Sequence, residues 1–250
     1  MLYSELVRNL TLKEFKLKYR NSVLGLLWSL LNPLAMMVIL TLVFSTLLES
    51  GIKNFPLFLL PALFAWRYFS VGTTMSAWAI LANSPLVTGI YFPRWLLAFS
   101  SNLANLLGSS IELIALFPLL LFLGMNLTYY VLLLPLVLVL EFILIFGISL
   151  CLSSLNVYYR DVSQLWEIAL QAGFFLCPII YSISLIPERY VFLYSLNPMI
   201  GVIESFRKIL YYNSLPALAD FAPPLLGGLL LLLIGYLTFH RLEPRFAEEI

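Results

Sequence analysis

The chain has 250 residues, 62% of them hydrophobic and 11% charged, with 14 Lys and Arg against 13 Asp and Glu for a net charge of +1. Soluble domains run at roughly 45–50% apolar and about 25% charged residues, so this composition excludes an ordinary water-soluble fold. The near-zero net charge gives no sign of a nucleic-acid partner. Lipid is the solvent that suits such a chain, because exposed apolar side chains carry no penalty there. No polar linker divides it, so one all-α transmembrane domain over 1–250 is expected.

The first segment, 1–23, mixes acids and bases and lacks the short apolar run of a signal peptide. Thr11-Leu12-Lys13-Glu14 has the form of a capping box, which predicts a helix starting there with Leu12, Phe15 and Tyr19 on one face and Lys13, Lys16 and Arg20 elsewhere. Basic charge beside an apolar stripe describes an amphipathic helix in the membrane interface. The competing reading is a solvated charge cluster that only fixes orientation.

A spanning helix needs about 20 mostly apolar residues, and six segments qualify. They are Leu24–Leu48, Leu57–Leu81 (diluted by Arg67), Trp95–Leu123, Tyr130–Leu152, Gln164–Ile186 and Phe221–Phe239. Polar connections at Glu49–Pro56, Asn83–Arg94, Gly124–Asn126 and Ser153–Asp161 separate them. Between the fifth and sixth, within 187–220, Val191–Tyr194 and Met199–Tyr212 are apolar yet too short to span, with a turn at Asn197-Pro198. That pattern predicts a re-entrant helical hairpin over Pro187–Tyr212, which must pack on protein or line a wet cavity; an external loop capping the bundle is the alternative. The tail is 240–250.

With six spans both termini share a side. That side receives nine Lys and Arg, four of them between Lys13 and Arg20, and the other receives four. The positive-inside rule then places both termini in the cytoplasm.

Little in the chain suggests enzymatic chemistry. A Gly-rich phosphate loop followed by Lys-Ser or Lys-Thr is lacking, so the chain is not expected to hold ATP itself in the usual way. No metal site is expected from the single His240 or from Cys151 and Cys177. The ionisable groups expected inside the membrane are Arg67, Glu112, Glu141 and Glu167. They suit either a proton-coupled transporter or an Arg67–Glu pair bracing two helices. Aromatic residues form 15% of the chain. Trp28 on the first span, Trp166, Phe174 and Phe175 on the fifth, and Tyr181 near its outer end could offer flat faces to sugar rings along a path; packing against helices or lipid is the alternative.

The segment Lys18-Tyr19-Arg20, then Leu24-Gly25, Trp28 and Pro33-Leu34, resembles the entry of the ABC-2 type exporter permeases of bacterial surface polysaccharides. Leu155-Asn156 with Arg160-Asp161, Cys177-Pro178 with Tyr181, Leu196-Asn197-Pro198-Met199, Ile203-Glu204 with Arg207, and the closing Phe246 to Ile250 follow in the family's order. The O-antigen permeases of the Wzm type are the nearest in pattern, with teichoic acid and capsular permeases alongside. The resemblance implies a homodimer working with two copies of a separate ATPase that holds ATP and Mg, no cofactor on this chain, and a polymer carried on undecaprenyl pyrophosphate. It implies bacterial inner membrane as the location. It further implies the interfacial helix and Leu24-Gly25 near the lipid headgroup, the first and fifth spans along the path, and cytoplasmic loops against the ATPase. Lys13, Lys16, Lys18 and Arg20 would then grip the pyrophosphate, since guanidinium binds phosphate with paired hydrogen bonds. The connection Asn83-Ser84-Pro85 to Arg94 would be the main coupling element, with Arg160-Asp161 as a second contact.

Overall fold

The computed structural model describes residues 2–19, 27–47 and 51–250. Every regular element among them is helical. In order they are α1 (Leu2–Tyr19), α2 (Leu27–Thr41, continued by a π-helical turn Leu42–Leu47), α3 (Phe55–Ala77), α4 (Ser84–Gly89), α5 (Trp95–Phe122), α6 (Leu134–Tyr158), α7 (Val162–Leu176), α8 (Glu188–Ser195), α9 (Pro198–Leu210), α10 (Leu218–Leu242) and α11 (Phe246–Glu249). Five helical stretches are long and apolar enough to cross a membrane: Trp28–Leu47, Phe55–Ala77, Trp95–Phe122, Tyr129–Tyr158 and Leu218–Glu249.

The bundle has two distinct ends, and hydrogen bonds identify them. At one end Asn156 of α6 donates to the Ala77 carbonyl of α3, Tyr158 donates to the Leu242 carbonyl of α10, and Arg94 donates to the Glu243 carbonyl. Lys13 of α1 reaches Asn83 here, and Leu10 shares an apolar cluster with Val87, Phe92 and Phe246. Both chain-terminal regions therefore lie at the same end. At the other end Asn54 donates to the Leu123 carbonyl, and Tyr211 donates to the Lys53 carbonyl.

α3 is the centre. Most of its residues are buried, from Phe55 at its start to Ala77 at its end. It packs on α2, α5, α6, α7 and α9, an all-round apolar surface appropriate to a helix with neighbours on every side. α6 and α10 meet closely. A Cβ added to Gly147 would lie 2.5 Å from the Leu232 backbone nitrogen, and one on Gly235 would collide with the Gly147 carbonyl oxygen. Small residues at a crossing let two backbones approach, which is how helices associate where no hydrophobic drive separates protein from solvent.

Three sequence expectations are corrected. The first concerns Thr11, which does not begin a helix. α1 starts at Leu2 and Thr11 is buried within it, because Leu6, Val7 and Leu10 supply an apolar face upstream that docks on the Ile80–Phe92 cluster. Leu12, on the apolar stripe expected to face the membrane interface, is exposed. The docked face also runs lengthwise beside α5, since Lys18 reaches Asn105 and Glu112 while Leu10 clusters with Leu96.

The second correction is at the fifth segment. Gln164–Ile186 is helical only through Leu176, and α7 covers 15 residues, or about 22 Å at 1.5 Å per residue. Pro178 is the reason: the residue before a proline is forced out of the α region, and Cys177 is extended at φ −83°, ψ 146°. The chain beyond still reaches the far end of the bundle, because Arg207 of α9 donates to the carbonyls of Ile179 and of Phe58, one turn into α3. The third concerns Glu167, which is exposed and not buried.

The segment 187–212 forms two short helices, α8 and α9, joined at Asn197-Pro198. Asn197 caps α9 by accepting from the Met199 N–H at 3.0 Å, and Pro198 occupies the first helical position, where its missing N–H costs nothing. α9 is buried along most of its length against α3, α6 and α10, whereas α8 stands exposed.

The α6–α10 contact predicts that Gly235→Val lowers the thermal midpoint of the detergent-solubilised protein by many degrees. Gly89→Ala, whose Cβ meets nothing within 4 Å, should leave it unchanged in the same fluorimetric melt. Equal melting of Gly235→Val and the parent chain would show that α6 and α10 do not rely on this approach.

Candidate translocation surface

Among the helices left largely uncovered, α2 and α7 are neighbours on α3. Along Trp28–Leu47 almost no residue is buried. On α7 only Ser163 is buried. α7 touches the bundle through a single stripe. Trp166 donates its indole N–H to the Thr73 hydroxyl at 2.9 Å and leans on Phe69. Gly173 admits Trp66 so closely that a Cβ there would lie 2.8 Å from its ring, and Phe174 meets the same ring edge-on. The opposite side of α7 carries Gln164, Glu167 and Gln171, all exposed, with exposed Phe175 one turn further on. Spacings of three and four residues put these on one helical face. Amides and a carboxylate standing open on an otherwise apolar helix need water or polar cargo beside them.

Between α2, α3 and α7 lies a cavity of about 290 Å³ lined by Asn32, Pro33, Met36, Trp66, Arg67 and Phe174, among others. Behind it sits a cluster of buried charge. Glu112 of α5 receives Arg67 Nε at 3.4 Å on one carboxylate oxygen and Lys18 Nζ at 3.7 Å on the other. Lys18 also donates to Asn105 at 3.4 Å, and Asn105 in turn donates to the Tyr68 carbonyl. Burial pushes the Lys18 ammonium below its ordinary value and Glu112 pulls it back up. The cluster ties α1, α3 and α5 together, and Arg67 is the member that reaches the cavity wall. Of the two sequence readings for the buried ions, the pairing of Arg67 with a Glu is the one realised. Glu141 stands apart: it is fully buried on α6, and neither carboxylate oxygen has a hydrogen-bond partner among the described residues.

The structure sorts the sequence candidates. Trp28 (60% exposed) and Phe175 (65%) stand on the open side. Trp166 and Phe174 are turned toward α3. The Tyr181 hydroxyl bonds to the carbonyls of Phe175 and Leu176 and to Tyr194 of α8, fastening the chain after α7 to the hairpin. Lys13, Lys16 and Lys18 are not gathered into one site. Lys13 donates to Asn83 at 2.6 Å, Lys16 is exposed, and Lys18 is sunk against Glu112. Arg20, Leu24 and Gly25 lie outside the described residues.

The coupling candidates do converge at one end. Asn83 is buried, receiving Lys13 and donating to the Ala79 carbonyl. Ser84 bonds back to Leu81, Pro85 is exposed, and α4 stands beside α11. Arg94 is held by the carbonyls of Glu243 and Val87, and Arg160-Asp161 form an exposed turn between α6 and α7. Among the described residues no group of three His, Cys, Asp or Glu could hold a metal.

Residues 5–211 match the ABC-2 type transporter family. The chain belongs to that family. It is 30% identical over 240 residues to the O-antigen export system permease protein RfbA of Klebsiella pneumoniae, covering 96% of this chain and 92% of that one. It is 31% identical over 258 residues to the RfbA protein of Myxococcus xanthus, covering 99% and 96%. The polysialic acid transport protein KpsM of Escherichia coli is 27% identical over 209 residues, 81% of this chain and 80% of that one. The protein is thus a multi-pass ABC-2 permease, the transport subunit of its class and not the ATPase.

Arg207 entered the sequence reading only as part of the family pattern, with no structural role assigned. It is fully buried, sits 3.7 Å above the Phe58 ring, pairs with Glu204 at 2.9 Å and donates to three backbone carbonyls. The signal available was an Arg in a short apolar helix three residues after a Glu.

Removing one member of a buried ion cluster strands the others, at a typical cost of about 3–5 kcal/mol. Glu112→Gln should therefore lower the melting point of the permease clearly, and adding Arg67→Gln should recover part of that loss. Strict additivity of the two substitutions would show that Arg67 and Glu112 do not interact.

Proposed function

We propose that the protein is the permease of an ABC transporter that exports a lipid-linked O-antigen polysaccharide across the bacterial inner membrane, powered by a separate ATPase. The observation that carries this reading is likeness along almost the whole length to O-antigen export permeases. The open faces of α2 and α7 support it, since a polymer path needs a surface that the chain itself leaves uncovered.

In this reading α7 and the extended chain to Ile186 make a sixth crossing, and the end that bears Arg94, Arg160, Arg241 and Arg245 is cytoplasmic. Both termini then face the cytoplasm, as the excess of basic residues on that side requires. Two copies form a homodimer about a two-fold axis, with α2 and α7 of each facing a shared path. Gln164, Glu167, Gln171, Phe175, Trp28 and Asn32 border it. Rings and a few amides give successive sugars weak, repeated contact, whereas a dense array of charges would trap the polymer. The hairpin α8–α9 is re-entrant and closes the outer end, with Arg207 and Tyr181 anchoring the segment that follows α7.

The carrier is undecaprenyl pyrophosphate, whose headgroup enters near Lys13, Lys16, Arg20 and the Leu24-Gly25 segment. ATP and Mg reside on two copies of the partner subunit, which press on α4, Arg94 and the Arg160-Asp161 turn. Lys13 links this end to the entry helix through Asn83, so a displacement of α4 is felt at α1. A capsular glycan as cargo is the second reading, favoured by the likeness to the polysialic acid protein.

The deciding experiment is co-expression with the candidate ATPase, purification through a tag on the permease, and measurement of ATP hydrolysis with and without lipid-linked polysaccharide. Co-purification with stimulated hydrolysis is expected; a permease that isolates alone, with no ATPase retained, rejects the reading. Within the same system Trp28→Ala and Phe175→Ala should each slow polymer export several-fold at unchanged melting temperature. Phe174→Ala should act mainly on stability. Normal export by both open-face variants would remove the aromatic path.

A further inference from the structure

A second cavity is lined by neither α2 nor α7. It measures about 920 Å³ and opens between α5, α6 and α10 at the end that carries both terminal regions. That volume is within the range of about 300–1,000 Å³ found for small-ligand clefts. Its floor and walls are apolar, built from Trp95, Phe146, Leu150, Leu229, Leu232 and Leu233. Its mouth is not: Tyr91, Arg94, Tyr236, His240 and Glu243 surround it.

The cleft faces the bilayer. α10 is mostly uncovered, and Leu226, Leu230, Leu233, Ile234 and Leu237 stand exposed along it. Tyr91, Trp95 and Tyr236 mark the level where such a surface leaves the hydrocarbon, because Trp and Tyr favour that boundary. An apolar trough that begins in hydrocarbon and ends at a polar rim matches a molecule with an acyl chain and a headgroup.

The rim favours an anionic headgroup. Arg94 is held in place by two main-chain carbonyls, from Glu243 at 2.6 Å and Val87 at 3.5 Å, and its guanidinium makes no ion pair among the described residues. A guanidinium has five N–H donors, so an oriented cation with donors to spare looks out over the mouth. The Glu243 carboxylate, the nearest opposing charge, accepts from the Arg94 backbone N–H at 3.1 Å. His240 is exposed and stacked parallel on Tyr236, with centroids 5.9 Å apart, and Arg241 follows it. Guanidinium groups bind phosphate through short charge-assisted hydrogen bonds.

We infer that this cleft is a binding site for an anionic phospholipid of the surrounding bilayer, with an acyl chain between α6 and α10 and the phosphate at Arg94 and His240. The site joins the start of α5 to the end of α10, so a bound lipid braces the two elements that flank the α4 connection. It is separate from the glycan path and does not depend on which polymer is exported.

The test is native mass spectrometry of the purified permease in detergent, titrated with phosphatidylglycerol or phosphatidylcholine. The parent chain should hold one phosphatidylglycerol per protomer beyond the exchangeable annulus and release it only at high activation energy. Leu233→Trp, a change at an exposed wall position that fills the trough without disturbing the core, should lose that lipid. Arg94→Gln should weaken it about tenfold, the scale of one charge-assisted phosphate contact, while leaving phosphatidylcholine binding as it was. Equal retention by the parent chain and Leu233→Trp would reduce the cleft to ordinary annular contact. Equal affinity for the two phospholipids would remove the anionic specificity. Displacement of phosphatidylglycerol by equimolar undecaprenyl phosphate would assign the cleft to the export substrate and overturn the proposal.

Discussion

A carboxylate cannot stand alone in an apolar solvent, and the way Glu112 is matched organises much of this bundle. Its two oxygens face Arg67 of α3 and Lys18 of α1, so a single group on α5 pins helices that come from distant parts of the chain. The desolvation cost of each ion falls only if all three keep their places. The same demand extends toward the end that bears both terminal regions through a polar seam. Asn105 donates to the Tyr68 carbonyl, Ser149 to Asn102, Ser76 to Ser101 and Asn156 to the Ala77 carbonyl. Each is a bond between helices, made where no water competes for it. α3, α5 and α6 are thereby fixed as a rigid unit, and α10 closes onto α6 through glycine contacts.

What this unit does not hold is equally informative. α2 and α7 lie on its flank, α2 packed on α3 along one side and α7 attached more sparsely. α7 touches α3 through Trp166, Gly173 and Phe174, and its far side carries Gln164, Glu167 and Gln171. A helix tied by one stripe to a rigid neighbour can shift without unfolding the core. The chain beyond α7 is then caught by Arg207, whose guanidinium spans carbonyls of Ile179, Tyr181 and Phe58. The outer end of α7 is therefore tethered through the chain that follows it.

The helical composition, the presence of most crossings and the connections between them were legible from apolar run length, which is a one-dimensional property. Helix–helix facts were less so. Periodicity put Leu12, Phe15 and Tyr19 on a stripe meant for the membrane interface; it did not show that Leu10 and its upstream neighbours dock on α5 and the Ile80–Phe92 segment, a partner that the local pattern cannot announce. The capping-box pattern at Thr11 failed for the same reason: a local signal was overridden by apolar residues before it. Pro178 was visible, but its effect on Cys177 shortened α7 where composition alone continued it. Arg207 read as an outer basic residue, and only the fold shows it buried over Phe58.

Among the site candidates the split follows the same line. Five aromatics were plausible on chemistry, and chemistry does not say which way a ring faces. The polar stripe was the better signal. Gln164, Glu167 and Gln171 repeat at three and four residues within an apolar segment, so they must share a face, and a face bearing a carboxylate and two amides is one that lipid cannot cover. Any surface covering it would have to bring polar groups or water. Phe175, at the outer end of that stripe, stands open, whereas Phe174, about 100° away around the helix, is committed to Trp66. Adjacent phenylalanines thus differ in what they touch, one holding α7 to α3 and the other left uncovered by the chain.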